Sequence, residues 1–240
     1  MTKPPVTQQP GRKEQVRQMF NSIAGNYDFL NHFLSLGVDR SWRRKLIKTM
    51  AEQKPAKILD LATGTADLAI MAASLNPETI IGTDITEGML EIGRKKVAGK
   101  GLQDKIQLML ADSENLPFED NSFDAAMVAF GVRNYENLPK GLSEMFRVLK
   151  PGGKAYILEF SKPKATPFRQ IYNFYFKYIL PTFGKLVSKH NSAYTYLPES
   201  VYKFPEGNDF LSIMKEAGFE NCNDRRFTFG ICSFYSGAKK

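Results

Sequence analysis

Acidic side chains stand at or near the ends of three predicted strands, where they could bind the polar groups of a nucleoside. Asp60 precedes a turn whose Gly64 permits close approach of a ligand to the backbone. Asp84 ends the second strand, 20 residues after Gly64 (84 − 64), where a carboxylate can accept hydrogen bonds from both ribose hydroxyls. Asp112 follows the third strand, where it can accept from an adenine amino group while the Ser113 N–H donates to a ring nitrogen. The spacing therefore predicts a nucleoside-binding crevice.

The turn after the first strand departs from the pattern of dinucleotide-binding proteins. A pyrophosphate site favours three glycines in G-x-G-x-x-G, and this turn contains only Gly64. Asp60 and Asp67 would also place negative charge beside a diphosphate. S-adenosylmethionine suits the turn better, because its adenine, ribose, sulfonium and ammonium groups match carboxylates and carbonyls. We therefore predict this cofactor and no metal ion. The alternatives are an ordinary βα turn with Asp60 in a structural hydrogen bond, and Asp112 as a cap of the next turn.

Short β-type runs alternate with helical patterns from residue 57 onward. This alternation is typical of a parallel sheet with helices on both faces, and it predicts an α/β, Rossmann-like doubly wound fold. The β-type runs cover 57–62, 79–85, 105–111, 123–130 and 154–160. Helical patterns cover 66–75, 87–97, 138–149 and 210–217. Two final β-type runs, 221–228 and 231–237, predict a C-terminal antiparallel hairpin.

The chain is predicted to form one domain with helical additions. Residues 1–11 contain three prolines, two glutamines and a glycine, and they are predicted to be a flexible arm. Residues 12–240 form the single predicted domain. An apolar repeat at helical spacing begins at Val16, and 12–53 is predicted to be a helical cap. Residues 163–204 are rich in aromatic side chains and are predicted to be a helical lid over the substrate.

The 240-residue chain has 33 basic and 25 acidic residues, a net charge of +8. The excess favours an anionic partner such as nucleic acid, a membrane surface or an acidic substrate. The basic residues are spread along the chain and no RNA- or DNA-binding signature is present, so we predict no nucleic-acid partner. No apolar run approaches the roughly 18 residues of a membrane span. With two cysteines and no apolar signal region at its start, the chain is predicted to be cytoplasmic, with reduced thiols.

Several segments resemble class I S-adenosylmethionine-dependent methyltransferases. These are DLATGTAD (60–67), Asp84, DSENLPF (112–118) and LKPGG (149–153). More narrowly, the chain is similar to the bacterial quinone C-methyltransferases of the menaquinone and ubiquinone pathways, from Arg12 onward. The family-specific segments are FNSIAGNYD (20–28), GVDRSWR (37–43), FGVRN (130–134), EFSKP (159–163) and YTYLPES (194–200). Ala129 is a departure from the family pattern, because some relatives carry a hydroxyl residue there.

The resemblance implies methyl transfer from S-adenosylmethionine to the ring carbon of a demethylmenaquinol, giving menaquinol. One alternative is C-methylation of a polyprenyl benzoquinol in ubiquinone biosynthesis. From another class, the alternatives are an RNA methyltransferase and an inert S-adenosylmethionine-binding module. A phenol is a poor carbon nucleophile, whereas its phenolate pushes electron density onto the ortho carbon. The enzyme must therefore orient the ring and help to remove or polarise a hydroxyl proton.

Candidate catalytic residues follow from this chemistry and from the matched segments. Arg133 and Asn134 follow the fourth predicted strand, and we expect Arg133 to stabilise the developing phenolate, directly or through water. Its alternative role is an ion pair that shapes the loop. Tyr196 is expected to close over the cofactor or the ring. The candidates for the base are Glu159, Asp28 and His190. The further predicted cofactor contacts are Thr65, Ile85, Met89 and Tyr27.

The aromatic segment 168–180 bears on the substrate class. One helical face carries Phe168, Ile171, Tyr172, Tyr175, Phe176 and Ile179. Phe174 and Tyr178 make the other side aromatic as well, although a helix packed on one side should have a polar back. The helix is therefore either buried within its own lid or in contact with a polyprenyl tail, a membrane or a partner subunit, as in a homodimer. We predict a polyprenyl quinol substrate and transient contact with the inner face of the cell membrane.

Overall fold

The computed structural model describes residues 11–26, 35, 37–175, 178 and 192–240. Its helices, labelled in chain order within these residues, are α1 (Arg12–Ile23), α2 (Val38–Met50), α3 (Asp67–Ala72), α4 (Glu87–Gly99), α5 (Leu138–Val148), α6 (Phe168–Phe174), α7 (Ser192–Lys203) and α8 (Asn208–Glu216). Its strands are β1 (Lys57–Leu61), β2 (Thr79–Asp84), β3 (Ile106–Leu110), β4 (Phe123–Ala129), β5 (Leu149–Phe160), β6 (Glu220–Phe227) and β7 (Cys232–Ala238). Several predicted positions lie outside the described residues: 1–10, Tyr27, Asp28, Phe176, Ile179 and His190.

The strands form one sheet in the order β3-β2-β1-β4-β5-β7-β6. Neighbours among β1 to β5 pair in parallel, and β7 lies antiparallel between β5 and β6. The predicted doubly wound sheet and its C-terminal antiparallel pair are confirmed. The strand order changes direction between β1 and β4, and ligands of such sheets bind outside the carboxyl ends of the strands at this switch point. The topology therefore places the predicted acidic residues beside one crevice.

Alternating side chains of the central strand enter two separate cores. Ile58 packs with Trp42 and Leu46 of α2 on one face of the sheet. Leu59 packs with Leu142 of α5 on the other face. Side chains of a strand alternate between faces, so a strand buried on both sides reads as a continuous apolar run. The packing on both faces holds the strand ends in place at the crevice.

One detail of the predicted elements is wrong. β5 begins at Leu149 rather than at 154, because a register shift lets Leu149 pair with Phe123 ahead of the main ladder. In the aromatic segment, the side chain of Ile171 is 61% exposed, whereas that of Tyr172 beside it is buried, so the predicted apolar face is only partly covered. Position within a helical repeat does not decide burial here, since the surrounding elements cover only part of α6.

Candidate cofactor-binding and active site

A cavity lies at the carboxyl ends of β1, β2 and β4 and beside the segment that follows β3. Of the predicted site residues, it brings together Gly64, Asp84, Ile85, Met89, Asp112, Ser113 and Asn134. Its lining also includes residues that the sequence did not single out for the site, chiefly Lys13, Val16, Phe20, Thr86, Glu114, Phe130 and Tyr135. Three lining side chains are carboxylates, and Lys13 is the one basic side chain among the lining residues that the structure describes. This charge balance suits a nucleoside with a positive centre better than a diphosphate.

The turn after β1 holds three residues in the left-handed region of backbone space. Ala62, Gly64 and Ala66 have φ angles of +49°, +58° and +67°. For a residue with a Cβ this conformation costs of the order of 1–3 kcal/mol, so surrounding contacts must enforce it. The Thr63 N–H donates to the Thr83 carbonyl at 2.9 Å, and the Gly64 N–H donates to Asp84 Oδ2 at 2.9 Å. The end of β2 therefore fixes the shape of the turn.

Asp84 forms part of the cavity wall and is almost fully buried. Its second oxygen, Oδ1, accepts from the Thr86 N–H at 2.9 Å. Burial raises the pKa of this carboxyl, although the backbone donors Gly64, Thr86 and Ile85 oppose the shift. Because Asp84 lines the cavity, its carboxylate can accept from a ligand hydroxyl there.

Asp60 and Thr65 lie in a smaller cavity next to the main one, and the two cavities share Gly64. Asp60 accepts a hydrogen bond from Thr63 Oγ1 at 2.6 Å. This is a structural hydrogen bond within the turn, of the kind that the alternative interpretation of Asp60 predicts. Burial raises the pKa of Asp60 to about 7, even though Thr63 and Arg43 act in the opposite direction. The carboxylate is thus poorly compensated in its charged form, and a cationic ligand group beside it would favour loss of its proton.

The loop after β4 approaches the turn after β1 very closely. A Cβ added at Gly131 would lie 2.6 Å from the Ala62 Cβ and 3.0 Å from Val128 Cγ2, so this position needs glycine. Phe130, with φ +63°, points its ring between Phe160 and Trp42, at centroid distances of 4.6 and 6.0 Å. The close approach closes one side of the cavity.

The Arg133 guanidinium lies outside the lining of the main cavity. Its Nη1 donates to Glu159 Oε1 at 2.9 Å and also to the Phe130 carbonyl. Both partners of this ion pair are buried, with side chains 6% and 0% exposed. Burial raises the pKa of Glu159, and the Arg133 charge opposes that shift. This arrangement matches the loop-shaping alternative, and contact between Arg133 and a phenolate stays a prediction.

Asn134 connects the cavity to helix α7. Its Oδ1 accepts from the Tyr196 hydroxyl at 2.9 Å. Tyr196 also lines an open groove whose other wall is α1, including Arg12 and Val16. Val16 lines both this groove and the main cavity, so the two spaces adjoin. A ligand in the groove would therefore lie next to one in the cavity.

Some cavity residues carried a weak signal in the sequence. Lys13 stands three and seven positions before Val16 and Phe20, which places all three on one helical face. Tyr135 directly follows the predicted Asn134, and Glu114 lies two residues after Asp112. No local pattern connects Lys13 with Glu114, because 101 positions separate them in the chain.

The doubly wound sheet with its reversed seventh strand, together with this cavity, defines an S-adenosylmethionine-dependent methyltransferase. A solved structure from Thermotoga maritima, described as a SAM-dependent methyltransferase, matches with a TM-score of 0.61 at 21% identity, over 93% of this chain and 99% of that one. The chain belongs to the ubiE/COQ5 methyltransferase family, whose model matches residues 8–239. It is 51% identical to demethylmenaquinone methyltransferase of Bacteroides fragilis, over 98% of this chain and 96% of the relative. It is 47% identical to a ubiquinone/menaquinone biosynthesis C-methyltransferase of Geobacter sulfurreducens, over 94% of this chain and 89% of the relative.

Proposed function

We propose that this enzyme transfers a methyl group from S-adenosylmethionine to the ring carbon of a demethylmenaquinol, giving menaquinol and S-adenosylhomocysteine. The observation that carries the proposal is that the acidic cavity adjoins the groove between α1 and Tyr196, with Val16 lining both. The relative from Bacteroides fragilis, matched over nearly its whole length, supports the naphthoquinol as the substrate. The printed name of the Geobacter relative includes ubiquinone, and this keeps a polyprenyl benzoquinol as the second candidate.

The lining residues suggest how the cofactor is held. We assign its adenine to Asp112 and Ser113, its ribose to Asp84, and its ammonium group to the smaller cavity beside Asp60 and Thr65. The bound cofactor supplies an electrophilic methyl group on a sulfonium. The left-handed turn around Gly64 keeps the backbone close to the ligand. Ile85, Met89 and Tyr27 complete the proposed cofactor contacts.

The quinol ring is assigned to the groove beside Asn134 and Tyr196. These two side chains are joined by a hydrogen bond, so they can orient the ring together. We assign Arg133 the role of holding the loop that carries Asn134, since its guanidinium is paired with Glu159. Glu159 is fully buried in that pair and is a poor candidate for the base. His190 and Asp28, outside the described residues, stay proposed as the base.

An exposed apolar surface surrounds α6. Ile171, Phe174, Tyr178 and Phe229 are each more than half exposed, and Phe229 stacks on Phe168 at 3.7 Å between ring centroids. Exposed basic residues at 164 and 169 lie in the same segment. We propose that this surface makes transient contact with an anionic membrane, from which the enzyme collects its lipid substrate. In the described part of the chain, no helix is long and apolar enough to span a membrane.

The membrane proposal is tested by sedimentation with vesicles of neutral and of anionic lipid. The variant Phe174→Ser/Phe229→Ser should lose binding to anionic vesicles, whereas Leu110→Ser, at an exposed apolar residue on β3, should not. Equal sedimentation of both variants would refute the proposal that this surface binds the membrane. A concentration-dependent dimer that the double variant abolishes would assign the surface to a second copy of the chain instead.

The substrate is tested by methyl transfer from labelled S-adenosylmethionine under reducing conditions. A demethylmenaquinol, a demethylated benzoquinol and unmodified RNA are offered in separate reactions. Label in the naphthoquinol alone supports the proposal, and label in both quinols widens it to a shared quinone methylase. Label only in RNA, or in nothing while the cofactor still binds, would overturn the substrate assignment.

A further inference from the structure

Helix α1 forms part of the wall of the main cavity and is held by hydrogen bonds near both of its ends. Near its start, Lys13 Nζ donates to Asp112 Oδ2 at 2.8 Å and to Glu114 Oε2 at 3.0 Å. Near its end, Asn21 Oδ1 accepts from the Gly88 N–H, at the start of α4, at 3.1 Å. Between these contacts, Val16 lines the cavity. The helix is therefore held against the cavity at both of its ends.

The two carboxylates that Lys13 contacts are themselves held firmly. Asp112 Oδ1 accepts from the Glu114 N–H at 2.9 Å, and Glu114 Oε1 accepts from the Glu136 N–H at 2.7 Å. The Glu114 side chain is only 6% exposed, and a buried carboxylate needs a compensating cation. Within the described residues, Lys13 is the one cation paired with either carboxylate. Partial burial alone would lower the pKa of Lys13, but the hydrogen bonds that Lys13 donates to the two carboxylates reverse this and the pKa is raised.

We propose that Lys13 is a positioning residue for the cofactor. It orients the Asp112 carboxylate, and its ion pairs with Asp112 and Glu114 hold α1 against the cavity. S-adenosylmethionine then enters and leaves when this ion pair opens. The inference rests on the proposed placement of the adenine at Asp112. Two of the roughly four acceptor positions of Asp112 are used, so the carboxylate can accept from an adenine amino group without releasing Lys13.

Because the ion pair of Lys13 must open, the rate of cofactor exchange should depend on salt. The side chains of Lys13 and Asp112 are about one third exposed, at 32% and 34%, so dissolved ions can screen their attraction. The ion pair should therefore open more easily as the ionic strength rises. Methionine at position 13 keeps an unbranched side chain of similar length and removes the charge.

The experiment measures dissociation of labelled S-adenosylmethionine after a chase with unlabelled cofactor, without any quinone. We expect Lys13→Met to dissociate about five- to tenfold faster than the parent protein, as for loss of a partly screened ion pair. Between 50 and 500 mM salt the parent rate should rise, and the Lys13→Met rate should rise much less, because only the ion pair of Lys13 is removed. Lys13→Arg should recover most of the slow dissociation. The control is Arg17→Met, because Arg17 pairs with Glu14 on the exposed side of the same helix.

Three results would overturn the proposal. The first is a Lys13→Met dissociation rate within twofold of that of Arg17→Met. The second is an unchanged salt response in Lys13→Met. The third is a large fall in the unfolding temperature of the free protein that Lys13→Arg does not restore, since that would show a structural role alone. The measurement needs no methyl acceptor, so a failed quinol assignment does not affect it. Asp84→Ala tests the placement of the cofactor separately.

Discussion

Replacing Arg133 by methionine should lower the free energy of unfolding by about 3–5 kcal/mol, because it leaves a buried carboxylate without its cation. Glu159 is fully buried, and the Arg133 side chain is 6% exposed, so water compensates neither charge. The same change removes a donor from the Phe130 carbonyl. Glu159 keeps the backbone donors of residues 160 and 133, at 2.8 and 3.3 Å, which favours the lower end of this range.

The loss should depend on pH in a defined direction. Burial already raises the pKa of Glu159, and removal of the opposing Arg133 charge raises it further. A carboxyl group whose pKa is raised on folding stabilises the fold below its unfolded pKa, and this stabilisation is lost as the pH rises through the folded pKa. The deficit of Arg133→Met should therefore be smallest near pH 4, where Glu159 is protonated, and should grow toward neutral pH.

Urea unfolding of Arg133→Met and of Arg133→Met/Glu159→Gln, at several pH values, tests this reasoning. The double variant is uncharged at both positions and keeps an acceptor at 159, so it should recover much of the lost stability and flatten the pH dependence. A loss below about 1 kcal/mol for the single variant at pH 7 would refute the reasoning, as would a double variant no more stable than the single one.

The same double variant separates the two roles of Arg133. If Arg133 only holds the loop, a refolded double variant should bind the cofactor and retain much of its turnover. If the guanidinium stabilises the phenolate, turnover should fall by about two to three decades while cofactor affinity is kept. Turnover and cofactor affinity that fall together in the stable double variant would contradict both assignments.

Three further experiments test the candidate cofactor site and the loop beside it. Asp84→Ala should weaken S-adenosylmethionine binding about tenfold or more, because the ribose loses a charged acceptor, whereas Asp104→Ala, at an exposed position, should leave the calorimetric affinity unchanged. Gly131→Ala should lower stability by about 1–3 kcal/mol in thermal or urea unfolding, because its Cβ would lie 2.6 Å from a neighbouring methyl group. Gly99→Ala, with open space around it, is the matched control. Binding of S-adenosylmethionine at pH 6 should release protons, because the pKa of Asp60 is about 7 and an ammonium ligand favours the charged form of Asp60. Calorimetry in buffers of different ionisation enthalpy measures this release. The absence of proton release would show that Asp60 lies outside the site.

Much of the candidate cofactor site was predictable from the sequence. Gly64, Asp84 and Asp112 each stand at or just after the end of a short β-type run, and parallel strands bring their carboxyl ends to one edge of a sheet. The structure places all three in one cavity. Burial in the aromatic segment was less predictable, since Ile171 and Tyr172 are adjacent and differ in exposure.

The sequence by itself determined the alternation of strands and helices, the glycine turn and the order of the acidic strand ends, because local periodicity and backbone freedom are properties of short segments. Only the tertiary structure decided that Lys13 meets Asp112 and Glu114, and that Arg133 is paired with Glu159 rather than lining the cavity. These pairs join residues 99, 101 and 26 positions apart. The sequence around a charged side chain does not indicate its ion-pair partner, because the packing of whole helices and strands decides which opposite charge lies close enough to pair.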